Sequence, residues 1–446
     1  MQNFLGKLFR FRPDETGVVF TLSLVLFANA LARQVIGIVA ISGLLSEGGV
    51  NQVLLVWFID YAIILLTGGL QSLIVDRFNR LSLMKWLTVI MAVIFVLTRL
   101  LFTLDLPTWF NYGLLYIIAE QQFVFFPLVF WVLANDIYDM SESKRLFPFI
   151  SSWNFIGVIV GTGLSALLPV ILEKLSLPIE SVLWFNVVLY LACYAGLAIG
   201  LRHARIRKTA QKSETVRETL TEGWNFLKDV PSFRYLMIAI AILAVCDTII
   251  EFRFLVVSDA VFTTQDSYQQ FYSLYRLFVT LVAFILQSTL TSRIIERYNI
   301  KNTFLLFPLF VIVTAISTIL LPGIQTAVFA IATVKLARDT VDASSRKTFQ
   351  SLVPEERRGR VSTFMDSYLP AIGTMTACLV TGAIVLISQA TAFNNSYYLY
   401  LGITAVGGII AIWAIFKMRT VYDKSLLNWR LKRRQRDSSV LNKLEF

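Results

Sequence analysis

The sequence predicts an all-α polytopic membrane protein, with twelve transmembrane helices in two pseudo-symmetric six-helix bundles. Three observations lead there. The chain is 56% hydrophobic and only 15% charged, against roughly 25% charged in soluble domains. Its apolar residues fall into twelve runs of membrane-crossing length. Its basic residues cluster in every second connection between those runs.

A helix that crosses about 30 Å of hydrocarbon needs about 20 apolar residues. Spans 1 to 6 are 17–41, 52–75, 82–104, 110–134, 149–172 and 181–201. Spans 7 to 12 are 235–258, 270–292, 302–321, 323–341, 362–387 and 397–418. The turn between spans 9 and 10, Leu321-Pro322-Gly323, is the weakest boundary. A transmembrane β-barrel would show alternating polarity over about ten residues per strand; these runs are apolar on every side. The start, MQNFLGKLFRFRPDE, is too charged for a cleaved signal, and the run after it is too long. Cys193, Cys246 and Cys378 all fall within spans, as small core residues rather than disulfide or metal ligands. The lone His203 excludes a histidine metal cluster, and no cofactor is expected.

The net charge is +11, and 35 of the 40 Lys and Arg lie in or within a few residues of alternate connections and at the two ends. That is the positive-inside pattern. It predicts both termini in the cytoplasm of a multi-pass protein, with a bacterial inner membrane as the setting. The basic tail, Arg430 to Arg436, is expected to lie on anionic headgroups rather than on nucleic acid.

The chain also rhymes with itself. LQSLIVDRFNR (Leu70 to Arg80) returns as LQSTLTSRIIERYN (Leu286 to Asn299). LANDIYD (Leu133 to Asp139) returns as LARDTVD (Leu336 to Asp342). Both copies keep the same membrane orientation, so the repeats are parallel. The expected layout is an N-terminal segment 1–16, a bundle 17–201, a basic linker 202–234, a bundle 235–418 and a tail 419–446.

Asp76-Arg77-Phe78-Asn79-Arg80 resembles the loop between helices 2 and 3 of the major facilitator superfamily, with Ser72 and Asn79 where that motif has glycines. The resemblance implies two six-helix halves related by an axis along the membrane normal. Asn79 and Asn299 are expected to supply a left-handed turn, which Asn tolerates next best after Gly. Asp76, Arg77 and Arg80 read as a charged latch on the cytoplasmic side, or as plain positive-inside anchoring. A second block, Asp136, Asp139, Glu142, Lys144 and Arg145, returns in part as Asp339 and Asp342. Acids and bases together at a cytoplasmic helix end suit bridges made in one state and broken in another.

That second block is more specific. Phe130-Trp131, Ala134-Asn135-Asp136-Ile137, Glu142, Lys144-Arg145 and Pro148 resemble the helix 4–5 segment of the ATP/ADP translocase family. Arg12 to Glu15, Glu251 and Phe349 to Ser367 are looser matches. The resemblance implies a nucleotide transporter of plastids and intracellular bacteria. Two positions depart from it. The family's Lys-Asp pair in helix 1 is met by Arg33-Gln34, and its basic residue after the helix 7 glutamate comes early, at Arg253.

Ionisable residues within spans cost several kcal/mol unless they are paired or wet. They are Arg33, Asp60, Arg99, Glu120, Asp247, Glu251, Arg253, Arg276 and Lys335. By analogy with the superfamily, helices 1, 4, 7 and 10 line the cavity. Asn29 and Arg33 share a face four residues apart, as do Asp247 and Glu251. The candidate substrate-binding set is therefore Asn29, Arg33, Glu120, Asp247, Glu251, Arg276 and Lys335. Arg33 and Arg276 would hold an anion, or form structural pairs with Asp60 or Glu120. Glu120, Asp247 and Glu251 would couple protons or form an ion pair that opens for substrate; a fixed bridge is the other reading. Glu120-Gln121-Gln122 is either a hydrogen-bond seam or a cargo contact.

No phosphate-binding Gly-Lys-Ser/Thr loop, Ser/His/Asp set or metal cluster is visible in the sequence, so no enzyme is expected. The function expected is secondary active transport of a small anionic solute, such as a nucleotide or phosphorylated metabolite, by exchange or with protons. The chain is expected to work as a monomer. The alternatives are a transporter-like scaffold or receptor that binds a soluble partner through the basic tail, and a carrier of lipid-like cargo.

Overall fold

The computed structural model describes residues 15–67, 79–202, 230–350, 355–391 and 395–444, with a few isolated positions between. Every regular element among them is helical. The first six are α1 (Thr16–Gly48), α2 (Val50–Thr67), α3 (Arg80–Leu101), α4 (Thr108–Ile137), α5 (Met140–Lys174) and α6 (Val182–Gly200). The second six are α7 (Pro231–Val261), α8 (Gln265–Thr289), α9 (Leu306–Leu320), α10 (Ile324–Ala337), α11 (Leu369–Thr391) and α12 (Tyr397–Leu444). Among the described residues, ten helices are long and apolar enough to cross a membrane, and Val50–Leu66 is a shorter apolar one.

Local chemistry sets the boundaries. Gly49, at φ 75°, turns the chain between α1 and α2, a conformation that glycine adopts without a Cβ penalty. Pro231 opens α7, where its missing N–H costs nothing. The two asparagines expected to share a role do not. Asn299 takes the positive φ of 61°. Asn79 is extended, and its side chain accepts from the N–H of Leu81 at 3.1 Å and of Ser82 at 3.3 Å. It caps α3, so no glycine-like conformation is needed there.

Two spans differ from expectation. Span 10 ends earlier as α-helix. It continues through a π-helical turn, Arg338–Asp342, into a short helix Ala343–Gln350. A second π-helical turn, Phe364–Tyr368, leads into α11. Span 12 does not stop near 418; α12 runs on through the basic tail as one helix.

The chain divides into two compact units. One contains Met1–Asp60, Thr67–Ser213 and Asp259–Leu281; the other contains Tyr61–Leu66, Glu214–Ser258 and Val282–Phe446. The first unit takes in the end of α7 and most of α8. Hydrogen bonds hold that segment. Gln269, fully buried, donates to the Ser165 carbonyl at 3.0 Å and accepts from Ser42 at 3.4 Å. Gln265 donates to the Tyr112 hydroxyl at 3.3 Å, and Tyr112 donates to Glu180 at 3.0 Å.

Within the first unit α1 packs chiefly on α4 and α5. The close approach to α5 depends on Gly157 and Gly161. A Cβ on Gly157 would lie 2.9 Å from the Ala30 Cβ, and one on Gly161 would lie 2.9 Å from the Leu31 carbonyl. Small residues four apart let helix backbones meet in lipid, where packing replaces the hydrophobic drive. The second unit repeats the device with Gly373 of α11, whose Cβ would meet Ala244 of α7 at 2.6 Å.

Gly161→Leu is therefore expected to lower the melting temperature of the purified protein, by an overpacking cost of about 1–3 kcal/mol. Gly163→Leu is the control, because a Cβ there meets nothing within 4 Å. Thermal melting in detergent checks both; equal melting of the two variants would remove this packing from the account.

Candidate functional site

The polar run on α4 spreads across three directions. Successive helical residues point about 100° apart, so Glu120, Gln121 and Gln122 find different partners. Glu120 faces Arg33 of α1 at 3.7 Å. Gln121 donates to Asp60 of α2 at 2.8 Å. Gln122 donates to Asn29 Oδ1 at 3.1 Å and to the Tyr190 hydroxyl of α6. Tyr190 in turn donates to Asn29 at 2.8 Å. Gln121 and Gln122 thus form the seam. Asn29 belongs to it: fully packed, it joins α1, α4 and α6 and is not presented beside Arg33.

Arg33 is held differently. Its guanidinium lies 3.9 Å from the centre of the Phe123 ring. The Glu120 pair is longer than a good charge-assisted bond of about 2.7–2.9 Å, and the buried Nε of Arg33 has no hydrogen-bond partner. Arg276 of α8 and Tyr116 of α4 also act on Arg33 electrostatically. Arg276 packs 5.7 Å from the Tyr272 ring, and Tyr116 accepts from Trp57 at 3.0 Å. The structure thus brings together Arg33, Glu120 and Arg276. At a rise of about 1.5 Å per residue, Arg33 lies about 25 Å along α1 and Glu120 about 18 Å along α4, well inside both spans.

The second unit holds the other predicted group on α7 and α10. Lys335 donates to Glu251 at 2.7 Å and lies 3.8 Å from Asp247. Asp247 also accepts from Arg338, which pairs with Asp339 at 2.7 Å. Arg338 is the residue that sequence reasoning missed. It stands in the quoted LARDTVD string where the first copy has Asn135, and that difference was the available signal. The sign of the interhelix pair reverses between units. In the first, the cation is on α1 and the anion on α4; in the second, the anions are on α7 and the cation on α10.

The latch residues separate into bridges and caps. Arg80 and Asp136, both buried, pair at 2.6 Å and tie α3 to α4. Arg145 donates to both carboxylate oxygens of Glu15, at 2.7 and 2.8 Å, and ties α5 to the start of α1. Asp139 and Glu142 do something else. The Glu142 N–H bonds the Asp139 carboxylate at 2.8 Å, and the Asp139 N–H bonds the Glu142 carboxylate at 3.0 Å. This reciprocal pair is a capping box at the start of α5. Asp76 and Arg77, and the side chain of Lys144, lie outside the described residues.

The second copy of the string is built otherwise. Asp342 pairs with Arg346 at 2.9 Å, and Arg346 lies 3.6 Å from Asp366. Gln350 donates to Asp366 at 2.9 Å. Asp342 closes one π-helical turn and Asp366 sits in the other, so Arg346 links the two irregular turns.

A double-mutant cycle tests the Arg80 bridge. Arg80→Ala leaves Asp136 buried without its cation and should cost about 3–5 kcal/mol of stability. Adding Asp136→Ala should recover part of that loss, whereas Asp139→Ala costs about 1 kcal/mol as a lost cap. Thermal melting of the three variants gives the comparison.

Comparison with known proteins places this architecture. Residues 22–370 match the family model described as Major Facilitator Superfamily. No curated protein matches the chain. Among solved structures, an auto-inhibited POT family peptide transporter superposes with a TM-score of 0.65 at 13% identity, covering 90% of this chain and 97% of that one. A bacterial homologue of the iron transporter ferroportin, in an inward-facing state, gives 0.63 at 14% identity over 91% and 100% of the two chains. The nucleoside transporter NupG gives 0.59 at 14% identity over 91% and 99%. The chain belongs to the Major Facilitator Superfamily and has the fold of a multi-pass secondary transporter.

Proposed function

We propose that the protein carries a small anionic solute across the membrane by alternating access, and that Arg33 is the group that recognises it. The observation that carries this reading is the state of Arg33. Its carboxylate partner stands at 3.7 Å, and its Nε has no hydrogen-bond partner. A pair of this length, with side chains 17% and 28% exposed, holds Arg33 more loosely than a short charge-assisted bond would. An incoming phosphate or carboxylate offers shorter, forked bonds. Cargo therefore replaces Glu120 as the counter-ion of Arg33, with Arg276 adding a second positive charge.

The neighbours are a peptide transporter, a nucleoside transporter and a bacterial homologue of an iron transporter. At 12–16% identity they do not choose a cargo for this chain. The class is argued from Arg33 and Arg276, two cations within spans of the first unit. Nucleotides and other phosphorylated metabolites fit them, in keeping with the ATP/ADP translocase resemblance of the helix 4–5 segment. Exchange is the simplest mode, because a released anion returns Arg33 to Glu120. We place both termini in the cytoplasm of a bacterial inner membrane, on the distribution of basic residues.

Counterflow in proteoliposomes across a panel of nucleotides, sugar phosphates and organic acids tests the proposal. At least one anion should be exchanged by the wild type. Arg33→Ala should lose that exchange by tenfold or more, by removal of a charged contact worth about 1.5–3 kcal/mol. Arg33→Lys should retain part of it. Absence of counterflow with every anion, or full activity in Arg33→Ala, would overturn the proposal.

A further inference from the structure

We infer that Arg253 is a phosphate-binding group at the end of the second unit where α12 begins. Arg253 is 9% exposed on α7. Its guanidinium lies 4.3 Å from the centre of the Tyr397 ring, beside the hydroxyl of the buried Tyr400. Its Nε is buried without a hydrogen-bond partner. No carboxylate pairs with it among the described residues. The acids of its own helix are committed or distant: Asp247 to Arg338 and Lys335, Glu251 to Lys335. Asp259 is six residues on, where no ion pair forms with Arg253.

Five other cations differ in having a carboxylate, although the Nε of Arg33, Arg80 and Arg346 also makes no hydrogen bond. Arg33, Arg80, Lys335, Arg338 and Arg346 each have a carboxylate within 4.0 Å. Arginine does not shed its proton on burial. A cation–π contact returns about 2 kcal/mol when desolvated, while an unpaired buried ion costs several. The balance calls for an anion.

The position narrows its class. Arg253 lies about 12 Å from the C-terminal end of α7 by helical rise. A helix of 31 residues is long enough to cross the hydrocarbon and both headgroup layers, about 40–45 Å. That puts the guanidinium, with the length of its side chain, within reach of the headgroup level at which α12 starts. The donors there are a guanidinium and a tyrosine hydroxyl. They suit the multiple oxygens of a phosphate, whether in an anionic phospholipid or free in solution. Tyr397, at the rim, covers the bound group.

The test uses the full chain, purified and delipidated. Native mass spectrometry counts the phosphatidylglycerol molecules retained, and thermal melting is followed with added phosphatidylglycerol or with inorganic phosphate at matched ionic strength. The wild type should retain at least one more phosphatidylglycerol than Arg253→Met, or show a larger phosphate-induced shift. A difference with phosphatidylglycerol alone assigns a lipid headgroup; a difference with inorganic phosphate assigns the free ion. Equal lipid counts and equal shifts in the two proteins overturn the inference. Should Arg253→Met not fold, Tyr400→Phe keeps the charge and removes one donor. Its ligand-induced shift should be smaller than that of the wild type, and an undiminished shift counts against the site.

Discussion

The structure is organised by one constraint: a charge placed at membrane depth needs a partner, whether an opposite charge, a polar side chain or an aromatic face. Arg33 on α1 reaches Glu120 on α4. Lys335 and Arg338, on and just beyond α10, reach Asp247 and Glu251 on α7. Each pairing fixes which helices must be neighbours, and each is made between helices that the repeat relates, with the sign reversed. The neutral seam does a different job. Asn29, Gln122 and Tyr190 bond one another in the packed interior, with only the Gln122 Oε1 left unpaired among these side chains, and so tie α1, α4 and α6 together.

The two copies of one seven-residue string show how the same letters serve two structures. In the first, the chain leaves helical geometry at Tyr138, with φ −106° and ψ 145°, and the Asp139–Glu142 box restarts it. In the second, the position of Glu142 is taken by Ser345, so no box can form there. The helix instead runs on through a π-helical turn at Arg338–Asp342. Such turns insert an extra residue and are common at functional sites. Here the turn lies between the Lys335 cluster and the Arg346 bridge to Asp366.

Much of this was legible in the sequence. The twelve helices followed from run length, and the pairing of Arg33 with Glu120 was one of two readings open from span assignment alone. What hid was directional. Glu120, Gln121 and Gln122 are adjacent in sequence yet serve three partners, which no periodicity of apolar residues reveals. Asp139 and Glu142 were read as bridge-forming acids because the charge pattern resembles a latch, although their spacing of three is also that of a capping box. Asn79 and Asn299 look alike in their loops, but one uses its side chain and the other its backbone. The division into compact units turned on Gln265 and Gln269, which in sequence are unremarkable polar residues at the start of a span.

The claim on which the functional account rests is that Glu120 competes with cargo for Arg33. The most direct measurement is the affinity of the purified protein for its exchanged anion, compared between wild type and Glu120→Gln. Removing the competing charge should tighten binding by roughly fivefold, the equivalent of about 1 kcal/mol for a loose pair. Weaker binding in Glu120→Gln would mean that Glu120 holds Arg33 in place for the cargo instead of being displaced by it, and would contradict the account.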